Sequence, residues 1–155
     1  MEKNIREEYL LLTAKHNLPD FKKIDNEFEI SSIESTTFLL RRVRRRMNDK
    51  LVFFCRIIEG ILYPNSPSVT NMQEIKFFTE QDKDNMIVTY KKMMMYERRG
   101  LELDIRPNDK EEVLLIKELF NEWPEFSRKM IHVAAILRQG WAEKVIIGKG
   151  EAYFG

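Results

Sequence analysis

Apolar side chains recur at helical spacing through the middle of the chain. They are three or four residues apart and fall at Leu40, Val43, Met47, Leu51, Phe54, Ile58 and Ile61. This spacing places them on one face of an α-helix, whereas a strand would show strict alternation. Ser31 and Glu34 are spaced as an N-terminal capping box, and Pro64 cannot continue a helix. The pattern predicts one long helix over about residues 32–62, followed by a turn.

Shorter helical patterns lie on both sides of this helix. Residues 4–16 predict a short helix capped by Asn4, and the acidic residues 20–30 predict an irregular segment with at most one turn. Later periodic stretches predict helices within 69–78, 80–99, 108–124 and 125–144, the last two kinked or separated at Pro124. The chain is therefore predicted to be all-α, with five to six helices bundled around the long helix.

Two segments leave alternatives open. Residues 101–106 alternate apolar and charged side chains, so they fit either a short strand or a helix end followed by an extended connector. Residues 145–155 carry Gly148 and Gly150 between β-prone triplets, and they fit a small hairpin or a frayed chain end. We expect a single helical domain over 1–144 and an irregular or β-like C-terminal tail over 145–155.

Composition narrows the class of protein. A chain of 155 residues with 43% hydrophobic residues can bury one substantial core. Charged residues reach 33%, but their signs nearly cancel to a net charge of +1, so no global field steers the chain to nucleic acid or membrane. A lone cysteine excludes an intramolecular disulfide, and no stretch has the length of a membrane span. We expect a soluble cytoplasmic protein.

The basic residues of the long helix form one run near its middle. The run consists of Arg41, Arg42, Arg44, Arg45 and Arg46. At about 100° per residue, Arg41, Arg42 and Arg45 are predicted to point away from the apolar stripe, while Arg44 and Arg46 flank it. Like charges four residues apart cost a few tenths of a kcal/mol unless something offsets them. The run is therefore the candidate binding site of the chain.

Two interpretations of this run stay open. Guanidinium groups match phosphate oxygens and carboxylates, so the run could bind nucleic acid or an acidic partner. Alternatively, acidic side chains of residues 20–34 or 102–125 neutralise the arginines within the chain. The distinguishing feature is whether those acids pack over the arginines, and whether Lys91 and Lys92 extend the basic surface.

The sequence gives less support to a catalytic function. A face of the predicted 108–124 helix and its continuation carries Glu111, Glu118, Glu122 and Glu125. Helical di-metal sites usually add a Glu-x-x-His motif, which the chain lacks. His16 and His132 stand alone, and Cys55 lies in an apolar run. We expect no catalytic residue, no metal and no cofactor. A metal-dependent hydrolase that uses the glutamate stripe is the third and least favoured of the functions considered.

The favoured function is that of a non-catalytic interaction or assembly protein, a scaffold or adaptor. It would bind a protein partner or self-associate through the apolar excess around residues 51–54 and the methionines at 93–95. The alternative is a nucleic-acid-binding protein that uses the arginine run.

Overall fold

The computed structural model describes residues 4–64 and 68–150, with side chains described as far as residue 143. This part of the chain contains α-helices, one short 3-10 helix at Ile30–Ser32, and no strand. The all-α prediction is confirmed. The α-helices are α1 (Ile5–His16), α2 (Phe21–Phe28), α3 (Leu39–Leu62), α4 (Val69–Ile75), α5 (Glu80–Ile105) and α6 (Asp109–Gly150).

The long helix α3 lies at the centre of the bundle, packed against α5 and α6. Its apolar stripe is buried along its whole length, as the spacing predicted. The indole of Trp123 on α6 stacks on the ring of Phe54, with centroids 4.9 Å apart. Phe126 of α6 meets Tyr96 of α5 edge-on. Each fully buried large apolar side chain contributes about 1.5–3 kcal/mol, so this three-helix contact dominates the stability of the fold.

The segment that follows α1 is a helix and not the irregular connector predicted for residues 20–30. Asp20 caps α2 by accepting a hydrogen bond from the backbone N–H of Lys23 at 3.2 Å. Ile24 and Phe28, four residues apart, are both buried beneath it. The cap and this apolar pair stabilise the helix despite the many acidic residues.

The helix α3 begins at Leu39, later than the predicted start near residue 32, so the capping-box prediction for Ser31 and Glu34 was wrong. The serines bond elsewhere: Ser31 N–H donates to Asp25 Oδ1 at 2.7 Å, and Ser32 Oγ donates to the Glu29 carbonyl oxygen at 2.7 Å. These bonds hold residues 30–32 in the 3-10 turn. The residue before α3 is Phe38, in the left-handed region at φ 54°.

Two further predictions change at the ends of the long helices. The alternating residues 101–105 belong to α5, where Leu103 is buried, the other four residues are exposed, and the backbone becomes extended at Arg106. The helix α6 continues through Pro124, whose neighbours Trp123 and Phe126 are buried and hold the helix in place. The backbone of residues 145–150 extends α6, where a tail or hairpin was expected, and residues 151–155 lie outside the described residues.

Candidate functional site

Arg44 divides the arginine run, because its side chain is buried in the core. Its Nε donates to Glu112 Oε2 at 2.8 Å, and its Nη2 donates to Glu112 Oε1 at 3.1 Å and to Asp104 Oδ1 at 2.8 Å. The side chains of Arg44 and Glu112 are each 1% exposed. Burial lowers the pKa of Arg44, but the hydrogen bonds with Glu112 and Asp104 outweigh it, so the pKa rises. Arg44 is therefore a charged structural residue that joins α3, α5 and α6.

Asp104 links this buried network to the surface. Its Oδ1 also accepts a hydrogen bond from Nε of the exposed Arg45 at 3.1 Å. The pKa of Asp104 lies below its ordinary value, because hydrogen bonds from Arg44 and then Arg45 outweigh the effect of partial burial. Acids of the 102–125 segment thus pack against two arginines of the run, which is the intramolecular pairing considered from the sequence.

The other three arginines contact no carboxylate at ion-pair distance within residues 4–64 and 68–143. The guanidinium of Arg41 lies 4.9 Å from the ring centroid of Phe38. Arg42 Nε donates to the backbone carbonyl of Thr37 at 2.7 Å, and Arg46 Nη2 reaches that of Ser32 at 3.4 Å. These side chains keep N–H groups that are available to a partner.

A shallow groove of about 250 Å³ lies beside three arginines of the run, Arg42, Arg45 and Arg46. Its charged lining combines three bases and two acids, namely Glu34, Arg42, Arg45, Arg46 and Asp49. Mixed charge of this kind suits a protein surface that also carries both signs, whereas a polyanion favours a purely basic groove.

Phe38 is the most unusual residue at this end of the bundle. Its left-handed backbone costs an ordinary side chain about 1–2 kcal/mol, yet its ring is 68% exposed and is not packed in the core. It also provides no side-chain cap for α3. Nothing within the described chain therefore compensates the strain through burial.

Exposed apolar side chains also lie near the end of α5, which the start of α3 contacts through Arg44 and Arg45. Arg45 bonds Asp104, and the neighbouring Leu101 and Ile105 are 46% and 77% exposed. We call the surface formed by Phe38, Arg41, Arg45, Leu101 and Ile105 the Arg–Phe face. The sequence identified its arginines, whereas Phe38 and Ile105 were missed because their exposure depends on where α3 begins and α5 ends.

The apolar excess expected to drive self-association is mostly used in the core. Leu51, Phe54 and Met93 are buried, and only Phe53 and Met95 remain largely exposed. These two residues are scattered on α3 and α5, so they are a weaker candidate surface than the Arg–Phe face.

Three of the four glutamates of the α6 stripe, Glu118, Glu122 and Glu125, are engaged in ion pairs. Lys92 lies 3.5 Å from Glu122, so it is drawn toward α6 and away from the arginine run. Arg99 bonds Glu118, and Arg128 bonds Glu125 through two N–H groups. No group of three or more His, Cys, Asp or Glu residues in the described part of the chain is arranged to hold a metal ion.

The cysteine has the environment of a core residue. Cys55 is buried on α3, and burial raises the pKa of its thiol to about 11, with smaller effects from Glu59 and Glu97. A thiol with this pKa is protonated at neutral pH and is a poor nucleophile.

Comparison of the chain with known proteins assigns it to no family. No family model, curated protein or solved structure gives a significant match to the chain. Over the described residues, no helix combines the length and the apolar character that crossing a membrane requires.

Proposed function

We propose that this chain is a small cytoplasmic assembly protein, non-catalytic, which self-associates through the Arg–Phe face. The observation that carries the proposal is Phe38, a strained aromatic residue held in solvent with the guanidinium of Arg41 against its ring. Strained backbone persists where function requires it, and exposed aromatic and arginine side chains are the residues that dominate protein interfaces.

The charges around this face favour a second copy of the chain as the partner. Exposed acids stand at Glu102 near the end of α5 and at Asp109 and Glu111 in the first turn of α6, within three residues in sequence of the acids that bond Arg44 and Arg45. A two-fold interface pairs each patch with the same patch of the other subunit. A face that carries both signs can therefore match acids of one copy with arginines of the other, around a centre of Phe38 and Ile105.

Sedimentation velocity across the micromolar range tests this proposal. We expect the native protein to form dimers as its concentration rises, and Ile105→Ser to weaken the dimer at least tenfold because it removes a large exposed apolar side chain from the face. Ile131→Ser is the matched control, since Ile131 is 70% exposed on α6 at the other end of the bundle. A native protein that remains monomeric throughout would overturn the proposal.

Nucleic-acid binding is the second candidate, and one observation favours it. Arg41, Arg42 and Arg46 form no ion pair among the described residues and could contact phosphates. Fluorescence anisotropy with labelled DNA and RNA across a salt series tests this candidate. Binding that falls steeply with salt and disappears in a variant with Arg41, Arg42 and Arg46 all changed to alanine would favour it over assembly.

A further inference from the structure

The guanidinium of Arg44 has one nitrogen that the buried ion network does not use. Its Nε and Nη2 donate to Glu112 and Asp104, whereas Nη1 has no hydrogen-bond partner in the described part of the chain. Among the side chains of the described residues, Nη1 is the single buried nitrogen or oxygen that is unbonded. A buried donor without an acceptor is costly, so Nη1 indicates a binding position for a hydrogen-bond acceptor.

The space beside Nη1 exists because residue 100 is a glycine. Gly100 is buried within α5, and an ideal Cβ built on it would lie 3.4 Å from Asn48 Oδ1 and 3.6 Å from Arg44 Nη1. These are close to ordinary van der Waals contacts, so the position holds one non-hydrogen atom. Glycine is a poor helix former, and the helical backbone at Gly100 does not require it. The missing side chain of Gly100 therefore leaves room for a small ligand.

The two polar atoms that border this position have opposite hydrogen-bonding character. Arg44 and Asn48 are one helical turn apart on α3, and both approach Gly100 of α5. The nitrogen Nη1 donates a hydrogen bond, and the oxygen Oδ1 accepts one. Their distances from the Cβ position exceed a hydrogen bond by roughly half an ångström, so a small displacement toward α3 brings an occupant into range of both. An occupant that bonds both atoms must accept one hydrogen bond and donate another.

The charges around Nη1 select a neutral occupant. The guanidinium of Arg44 disfavours a cation, and the carboxylates of Glu112 and Asp104 on the same guanidinium disfavour an anion. We propose that this position binds one water molecule, held between Arg44 Nη1 and Asn48 Oδ1 beneath Gly100. Water is neutral, has one non-hydrogen atom, and both donates and accepts. This inference does not depend on the assembly proposal.

A high-resolution crystal structure of the native protein tests the inference directly. We expect a density peak within hydrogen-bond distance of both Arg44 Nη1 and Asn48 Oδ1, and no anomalous signal at that peak after a bromide soak. A direct hydrogen bond from Nη1 to a protein acceptor, with no density between them, would overturn the proposal. An anomalous bromide peak would assign the position to an anion and would also overturn it.

Oxygen-17 relaxation dispersion, which counts long-lived buried waters, tests the site in solution. We expect Gly100→Ala to have one such water fewer than the native protein, because its methyl group occupies the position. Gly60→Ala is the matched control and should keep the native count, since a Cβ there meets no atom within 4 Å. Asn48→Leu removes the acceptor, leaves Gly100 in place, and should also lose the water. A native count in both Gly100→Ala and Asn48→Leu would contradict the inference.

Discussion

Both halves of α3 bury apolar side chains in the bundle, but only the first half also buries a charged side chain. The second half packs through apolar surface, where Phe54 stacks on Trp123. The first half buries Arg44, which is held by Glu112 and Asp104 at hydrogen-bond distance. Apolar packing degrades gradually as volume is removed, whereas a buried charge that loses its partner is strongly destabilising. The first half should therefore be the more sensitive to single substitutions, pH and partner loss.

This difference also explains the arrangement of the Arg–Phe face. Because Arg44 is anchored to α5 and α6, the direction of α3 at its start is set, and Arg41 and Arg45 necessarily project on the outer side. The buried ion network thus positions the exposed arginines, so one run of basic residues serves two purposes.

The largest expected effect comes from separating the buried pair. Arg44→Met should cost about 3–5 kcal/mol in the free energy of unfolding, since it leaves Glu112 buried without a counter-ion. The double variant Arg44→Met with Glu112→Leu should recover most of that loss, because it removes both charges. Urea denaturation measures both variants. A single variant that costs less than about 1 kcal/mol would contradict the structural role of Arg44.

Phe54→Ala makes the corresponding test in the second half. We expect a loss of about 3 kcal/mol, from the lost transfer energy and the cavity left beside Trp123. The loss of stability in Phe54→Ala should be the same at low and high salt. Part of the loss in Arg44→Met should depend on salt, because Asp104 also bonds the exposed Arg45. Denaturation at two salt concentrations separates the two halves, and equal salt responses would count against the distinction.

A smaller effect, an increase in the free energy of unfolding, is expected from Gly60→Ala in the second half of α3. A Cβ at this position meets no atom within 4 Å, and alanine is about 1 kcal/mol better than glycine inside a helix. Gly100→Ala, beside Arg44, should gain less, since its Cβ would approach Asn48 Oδ1 at 3.4 Å. Thermal denaturation checks both variants, and a loss of stability in Gly60→Ala would show that the second half is packed differently.

The dependence of stability on pH in the acid range gives a further test of the ion network in the first half of α3. The pKa of Asp104 is lowered in the folded protein, so its carboxylate adds stability above its unfolded pKa of about 3.9. That contribution is lost as the pH falls through the lower folded value. The stability difference between the native protein and Asp104→Asn should therefore be largest near neutral pH and shrink in acid. A difference that does not vary with pH would rule out this coupling.

The sequence predicts the features that depend on local periodicity. The apolar stripe of α3 was correctly predicted, because it repeats every three to four residues and all seven of its residues are buried. The burial of Arg44 was missed because its partners are 60 and 68 residues away in the chain. The late start of α3 was missed because the backbone N–H of Ser31, which a capping box would pair with Glu34, donates to Asp25 Oδ1, and residues 30–32 form a 3-10 turn.

The central claim is that Phe38 is strained for assembly and not for folding, and Phe38→Gly tests it most directly. Glycine accepts a φ of 54° without strain and removes the ring. Unfolding and sedimentation velocity should be measured on the same variant. We predict stability equal to the native protein or up to about 1 kcal/mol higher, together with loss of the dimer. A variant that is destabilised, or that still dimerises like the native protein, would contradict the claim.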